Sequence, residues 1–376
     1  MTLTLSNLNS ILLNIFPESC AFEWDNVGLI IGNPDSKITK ILLSLDVTSK
    51  IIEEAKNIKA QVILTHHPPF LSPPKTFLYS DPIGKIIFNL IKSEIGLISL
   101  HTNVDQSPIG INFALAKELG MQNLKFIKPK FRTDKFKFTV FVPENYEEKI
   151  IEAINLGGGG AIGNYSHCTF RSDGIGTFKP LEGAHPFIGK KGKFEEVKEF
   201  RIESIVPSKN INTVIKEVLL AHPYEEPAFD VYPLHTVQPQ YGLGVIGELL
   251  EAEIFDEFLR QVKKILGVKA VGVVCPEKKE MKKKIKRIAI CTGAGGEIIR
   301  ELSFGDADVL IIGEAKYSDA LEAQEKKLKV VFGGHFATEA LFVKILYKQL
   351  VSHPEIKNEK IKIRISKNIQ NPIKYI

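Results

Sequence analysis

The sequence predicts an α/β protein: a split α/β domain with mainly parallel sheets, interrupted by a ferredoxin-like α+β insertion. Three observations predict it. Short apolar strands alternate with amphipathic helices from Leu8 to Gly120, the pattern of βαβ units. Near Pro129 the order changes to β-α-β-β-α-β over roughly one hundred residues. After Leu234 the alternation resumes and continues toward the C-terminus. The expected divisions are therefore 1–129, 130–234 and 235–376, with the first and third forming one domain.

Leu8 to Phe16 reads as a helix, and Ile41 to Leu45 as a buried strand ending at Asp46. A helix from Ser49 to Asn57 has Thr48 or Ser49 as its N-cap. Gln61–Thr65 and Gly96–Leu100 read as strands, Ile83–Ser93 and Ile111–Leu119 as helices. In the insertion, Phe136–Phe141 alternates with period two, a strand with one wet face. The helix Tyr146–Asn155 and the glycine run Gly157–Gly160 follow, then strands at Cys168–Arg171, Lys198–Ile205 and Ala228–Pro233, with a helix at Ile211–Ala221. The last segment offers strands at Gly244–Glu248, Ala270–Val274, Arg287–Cys291, Val309–Ile312 and Val330–Phe332.

Composition excludes several classes. The 376 residues are 44% hydrophobic and 25% charged, which is ordinary for globular proteins. Cys20, Cys168, Cys275 and Cys291 are scattered without C-x-x-C spacing, so neither a zinc ribbon nor a disulfide framework is indicated. No apolar run is long enough to span a membrane, and the N-terminus lacks a basic secretory start. The first arginine is Arg132, against an Arg-rich transit peptide. A reducing cytoplasmic setting is expected. Much of the net charge of +5 lies in Lys278–Arg287; such a run is usually a solvated turn, and nucleic-acid binding is its weaker reading.

The chemistry concentrates at strand ends. His66-His67 follows one apolar run, His101-Thr102-Asn103-Val104-Asp105 another, and Gly334-His335-Phe336-Ala337-Thr338-Glu339 a third. Imidazole and carboxylate are ligands for transition metals. In open α/β sheets ligands bind at the carboxyl ends of strands, and Asp46, Gly293–Gly296 and Gly313-Glu314 fall there too. If these strands lie parallel in one sheet, all the clusters share one edge. His335 and Glu339 share a face if a helix starts near Phe336. His66, His67, Asp105, His335 and Glu339 make five candidate ligands, which suit two metals better than one. Any of these histidines alone is more often an ordinary surface or hydrogen-bonded residue; their joint placement favours metal.

Other motifs stay open. Gly293–Gly296 is either a phosphate cradle or a tight turn that lets backbones pass closely. Glu23–Gly28, with the single tryptophan Trp24, is either a loop anchored by a buried aromatic or a pocket wall with Asp25 or Asn26 on substrate. His222–Pro227 is either a rigid turn or a loop reaching toward the metal site or a neighbouring subunit.

On Trp24-Asp25-Asn26-Val27-Gly28, His66-His67-Pro68, His101–Asp105, Gly293–Gly296 and Gly334–Glu339, the chain resembles the GTP cyclohydrolase 1 type 2 homologue family, also called NGG-interacting-factor-three-like. The likeness covers essentially the whole chain. Its middle resembles the PII-like insertion of longer members, marked by Gly183–Phe187 and His222–Ala228. The resemblance implies a dinuclear centre on His66, His67, Asp105, His335 and Glu339, and a toroidal homohexamer with the sites facing an internal cavity. Members often carry histidine where this chain has Ser318, which removes an imidazole acid–base or supporting role there. No set of residues reads guanine.

The function expected is a metal-dependent hydrolase using two divalent ions (zinc, iron, manganese or similar) on a small molecule, in the resemblance a nucleotide. Metals acidify bound water toward neutral pH. Glu314 is the unassigned acid for proton transfer. The rival is a non-enzymatic metal-binding regulatory or scaffold protein whose insertion binds an effector.

Overall fold

The computed structural model describes residues 3–130, 135–234, 241–274, 277–303 and 305–374. Cys275 and the stretch just beyond the expected boundary at Leu234 lie outside the described residues. Contacts divide the chain into two compact units, Met1–Lys130 with Pro239–Ile376, and Phe131–Gln238.

The N-terminal segment supplies β1 (Gly28–Ile31), β2 (Lys40–Leu43), β3 (Val62–Thr65), β4 (Gly96–Ser99) and β5 (Met121–Lys130). The middle segment supplies β6 (Lys135–Pro143), β7 (Thr169–Phe178), β8 (Glu195–Pro207) and β9 (Phe229–Pro233). The C-terminal segment supplies β10 (Tyr241–Ile254), β11 (Gly272–Val274), β12 (Lys284–Ala294), β13 (Val309–Glu314), β14 (Lys329–Phe332) and β15 (Lys362–Ile365).

The first unit holds two sheets where the sequence suggested one common edge. The first runs β1-β4-β3-β2-β15, parallel except for β1. The second runs β11-β14-β13-β12-β10-β5. Only β12, β13 and β14 are mutually parallel there; β5, β10 and β11 pair antiparallel. The exchange between segments is narrow. The C-terminal segment gives β15 to the first sheet, and the N-terminal segment gives β5 to the second. Parallel strands need both faces covered, and the central strands obey this. On β12, Ile288 and Ile290 enter one core while Ala289 and Cys291 enter another. On β3, Val62 and Leu64 face the first core and Ile63 faces a third. The shared core joins the inner faces of both sheets through helices such as Phe255–Leu266 and Leu341–Ser352, which bury Phe258, Val262, Phe342 and Leu346.

Local signals hold. Thr48 is the N-cap of the helix Ser49–Ile58, its side chain accepting from the Ile51 N–H. The helix Pro82–Lys92 opens with proline in its first turn, where no N–H is needed.

The second unit has strand order β7-β8-β6-β9, all antiparallel. With helices Glu147–Leu156 and Ile211–Ala221 this is the ferredoxin-like β-α-β-β-α-β arrangement. The alternation on β6 buries Phe138, Val140 and Val142 against Ile150, Ile154, Val214 and Val218.

Candidate metal centre

The site forms where the carboxyl ends of β3 and β4 in one sheet meet those of β12, β13 and β14 in the other. β3 ends at Thr65, and both following amides, His66 N–H and His67 N–H, donate to the Leu45 carbonyl at 3.1 and 3.0 Å. This turn breaks the side-to-side alternation of the strand. The two rings therefore diverge, 4.9 Å apart and inclined by 54°.

Four imidazoles converge, and each has its Nδ1 occupied. His66 Nδ1 meets the Leu100 carbonyl at 2.8 Å, and His67 Nδ1 meets Asp46 Oδ1 at 2.8 Å. His101 Nδ1 meets Asp25 Oδ1 at 2.8 Å, and His335 Nδ1 meets Glu314 Oε1 at 3.0 Å. A carbonyl or carboxylate oxygen only accepts, so each Nδ1 carries the proton. In the neutral ring the Nε2 lone pair is then left to point inward. Metal-ligating histidines have this arrangement, with an oxygen acceptor behind each ring.

The carboxylates come from two short helices. Asp105 ends Thr102–Asp105, and Glu339 ends His335–Glu339, one turn beyond His335. Glu339 Oε2 lies 2.9 Å from His67 Nε2 and 3.0 Å from His335 Nε2. His66 Nε2 faces Asp105 Oδ1 at 3.7 Å and Glu339 Oε1 at 3.8 Å. His66 Nε2, Asp105 Oδ1 and Glu339 Oε2 are buried with no hydrogen-bond partner. Orphaned buried polar atoms are costly; here His66 Nε2 faces Asp105 Oδ1, and Glu339 Oε2 faces the Nε2 atoms of His67 and His335. The donor set and its geometry fit a divalent transition metal. His66, His67 and His101 form one group able to hold an ion, and His67, His335 and Glu339 form another.

Electrostatics agree. Burial pushes Asp105 well above the usual carboxylate range, and the neighbouring Glu339 charge adds to it. Burial alone would also raise Glu339, but the imidazoles of His335, His66 and His67 outweigh it and hold it well below. Burial lowers His66. Against burial, Asp46 and Glu339 raise His67 to about 10. Glu339 first, and Glu314 after it, raise His335 to about 9 in spite of burial. Two neighbouring carboxylates favour a cation between them.

Gly293 explains the glycine turn. Its φ is +68°, and a Cβ there would sit 2.1 Å from Glu339 Oε1. At Gly296 a Cβ would sit 2.3 Å from Asp319 Oδ2. Gly293 thus lets the helix His335–Glu339, and Gly296 the helix Tyr317–Glu325, pass close to this turn, the tight-turn reading; the helix they open, Gly296–Glu301, is short.

The structure brings together all five candidate ligands named from the sequence: His66, His67, Asp105, His335 and Glu339. It adds residues that the sequence left unassigned. His101 turns its Nε2 side inward beside His66, ring centroids 5.1 Å apart. Asn112 donates to the Asp105 carbonyl at 2.9 Å and accepts the Thr292 N–H at 2.8 Å, tying the Asp105 helix to β12. Glu314, read as the proton-transfer acid, lies on the rim and accepts from His335. Two expectations for the tryptophan loop are corrected. Asp25 does not face a pocket: its side chain is buried and holds His101 and Thr102. Burial would raise it, but His101 and Thr102 outweigh that and bring it to about 2. Trp24 is not a buried anchor; it is 54% exposed, stacked on Phe22 with centroids 5.3 Å apart and edge-on to His101 at 6.3 Å. Asn26 donates to the Phe70 carbonyl at 3.1 Å and pins the loop after Pro68-Pro69. Ser318 is exposed, one residue into the helix Tyr317–Glu325.

The basic run Lys278–Arg287 forms a 3-10 turn leading into β12. Lys279 pairs with Glu277 at 2.6 Å and Lys283 with Glu280 at 2.5 Å, the solvated-turn reading. Among the described residues no helix is long and apolar enough to cross a membrane.

The fold and cluster define a class: an α/β protein whose first unit, built on two sheets, carries a histidine–carboxylate site of metal-ligating composition. The chain belongs to the Duf34/NIF3 (NGG1p interacting factor 3) family, whose description matches residues 3–372. A Halalkalibacterium halodurans protein named GTP cyclohydrolase 1 type 2 homolog is 38% identical over 319 residues, covering 85% of each chain. A Bacillus subtilis protein of the same name is 34% identical over 360 residues, covering 96% of this chain and 95% of its own. Among solved structures, a Bacillus cereus protein related to NIF3 superposes with TM-score 0.73 at 36% identity, covering all of both chains. A Staphylococcus aureus protein superposes with TM-score 0.76 at 28% identity, covering 100% of this chain and 99% of its own.

Proposed function

We propose that this protein is a metal-dependent hydrolase with a dinuclear centre acting on a small molecule, with a nucleotide as the first candidate from its relatives' names. The observation that carries the reading is the set of four Nδ1-anchored imidazoles converging on two buried carboxylates. His66, His67, Asp105, His335 and Glu339 would hold the ions, with His101 beside His66. Bound there, two divalent ions would supply Lewis acidity and an acidified water. The chain's own residues do the rest. Asp46, Asp25, Glu314 and the Leu100 carbonyl fix ring tautomer and direction. Asp105 and Glu339 supply negative charge in a buried setting where it acts strongly. Glu314, exposed on the rim, is placed to exchange a proton with solvent while holding His335. Trp24, edge-on to His101, offers a flat face at the approach to the cluster.

Self-association into a ring is part of the proposal. Phe77, Phe88 and Ile91 are exposed around a groove of about 870 Å³ in the first unit, with Tyr79 against Phe88, and apolar patches of this kind mark interfaces. Light scattering of the purified chain should give six copies; a monomer would remove the ring.

The test of the function is a substrate screen with zinc, iron or manganese supplied in turn. Turnover that vanishes with chelator and returns with metal is the expected result. Full metal loading with no turnover of any nucleotide or small ester would instead favour the scaffold reading, in which chelation changes assembly.

A further inference from the structure

The second unit contains a cavity of about 360 Å³ that none of the metal-centre residues lines. Its walls are Phe141, Phe178, Phe187 and Tyr224, and its charged lining groups are the buried Glu199 and, at the edge, Lys179, Glu225 and Glu226. Tyr224 stands between Phe178 and Phe187, its ring centroid 6.3 Å from each. Glu199 is only 9% exposed. The Tyr224 hydroxyl donates to its Oε1 at 2.9 Å, and among the described residues no lysine, arginine or histidine nitrogen pairs with it. Its other oxygen occupies the place of a side chain: a Cβ on Gly176 would lie 2.0 Å from Oε2. Glycine at 176 therefore makes room for this carboxylate.

The surroundings hold the arrangement still. His222 Nε2–H donates to the Phe141 carbonyl at 3.0 Å, and its Nδ1 accepts the Tyr224 N–H at 3.1 Å. Burial keeps that ring neutral by lowering its affinity for a proton. Burial and the Glu199 contact push the Tyr224 phenol above its usual range, so it remains a donor. Glu225 accepts the His185 N–H on both oxygens, at 3.0 and 3.1 Å, and so fixes the loop that carries Phe187.

A buried carboxylate without a cation is unfavourable unless something brings the charge. Aromatic faces attract cations too, and more strongly out of water. A small metal ion is a poor fit, since of the lining carboxylates only Glu199 is buried: Glu225 and Glu226 are exposed, and Glu225 spends both oxygens on the His185 N–H. We propose that this cavity binds a small organic cation, an alkylammonium or methylated ammonium group, with Glu199 as its counter-ion and Phe178, Phe187 and Tyr224 as its walls. The site is independent of the metal-centre reading, because none of its residues belongs to that cluster.

The test uses the whole protein at constant ionic strength. Choline and n-butylammonium are titrated by calorimetry beside 3,3-dimethylbutan-1-ol, the neutral shape-match of choline. The cations should saturate one site per chain, and the neutral alcohol should bind about tenfold more weakly or worse. Glu199→Gln keeps the shape and the acceptor for Tyr224, and should weaken choline by about tenfold. Phe187→Leu, at a half-exposed position that folding tolerates, should weaken it several-fold while leaving the alcohol little changed. Equal binding of choline and the alcohol, unchanged affinity in Glu199→Gln, or no saturable binding of either cation would each overturn the proposal. So would manganese binding that depends on Glu199 when choline does not bind.

Discussion

Glu339 in the first unit and Glu199 in the second are both buried carboxylates, yet their neighbours differ in kind. Glu339 is 3% exposed and ringed by imidazole nitrogens, with Asp105 close by. Glu199 has one phenol and aromatic faces. Nitrogen lone pairs and a second carboxylate make directed, short-range ligands for a transition metal. Rings and a single buried carboxylate make a diffuse field suited to a soft, bulky cation. Burial of a carboxylate therefore says that positive charge is wanted, and the surrounding atoms say which kind.

The largest effect should come from removing Glu339, the carboxylate that faces His66, His67 and His335. Glu339→Ala should abolish metal uptake, measured by elemental analysis after dialysis, with far-ultraviolet circular dichroism unchanged. Retained stoichiometric metal would break the contrast drawn here. Gly293→Ala should come next. The residue has a left-handed backbone and its new Cβ falls on Glu339. It should cost about 1–2 kcal/mol of stability and lower metal affinity by about 10–100-fold, as disturbed ligand positioning does; chemical denaturation and competitive chelation measure the two. Asp46→Asn removes the charge behind His67 and should weaken metal by about tenfold, with stability nearly unchanged.

In the second unit the pH response has a definite sign. Burial holds His222 below its ordinary value, so folding favours the neutral ring. Its contribution is fully present above the unfolded value of about 6.5 and is lost as pH falls through the folded value. Hydrogen exchange corrected for intrinsic rates should show residues 211–233 losing protection as pH drops from about 7 to about 5. Protection that rises instead would contradict the neutral assignment. The smallest effect belongs to Ser318→Ala, an exposed hydroxyl. Metal content should not change, and if turnover is found it should be unaltered. A large loss of turnover at full metal content would move proton transfer to Ser318.

Much of this was legible in the residues. His66-His67, Asp105 and His335-x-x-x-Glu339 declare themselves because strand-end polar groups have few structural uses, and helical spacing stacks His335 over Glu339. The helix Ile211–Ala221 was read to the residue because its apolar spacing runs unbroken. β5 was missed because Met121–Lys130 is rich in lysine and polar residues, as an edge strand wet on one side is. The two-sheet arrangement was missed for the same reason: β5 and β10 pair across a long insertion, and no local pattern reveals that partner. Asp25 and Trp24 were misplaced because neighbouring residues in a loop point in directions that only tertiary contacts decide. Glu199 gave no signal at all, since a glutamate on an alternating strand reads as a wet-face residue.

The central claim is that the four anchored imidazoles and two carboxylates exist to hold metal. Purified wild-type chain, loaded with zinc, iron or manganese and dialysed, should retain about two ions per chain by elemental analysis, as two-metal sites do, and lose them to chelator. No retained ion, and none taken up in titration with any of the three, would contradict it.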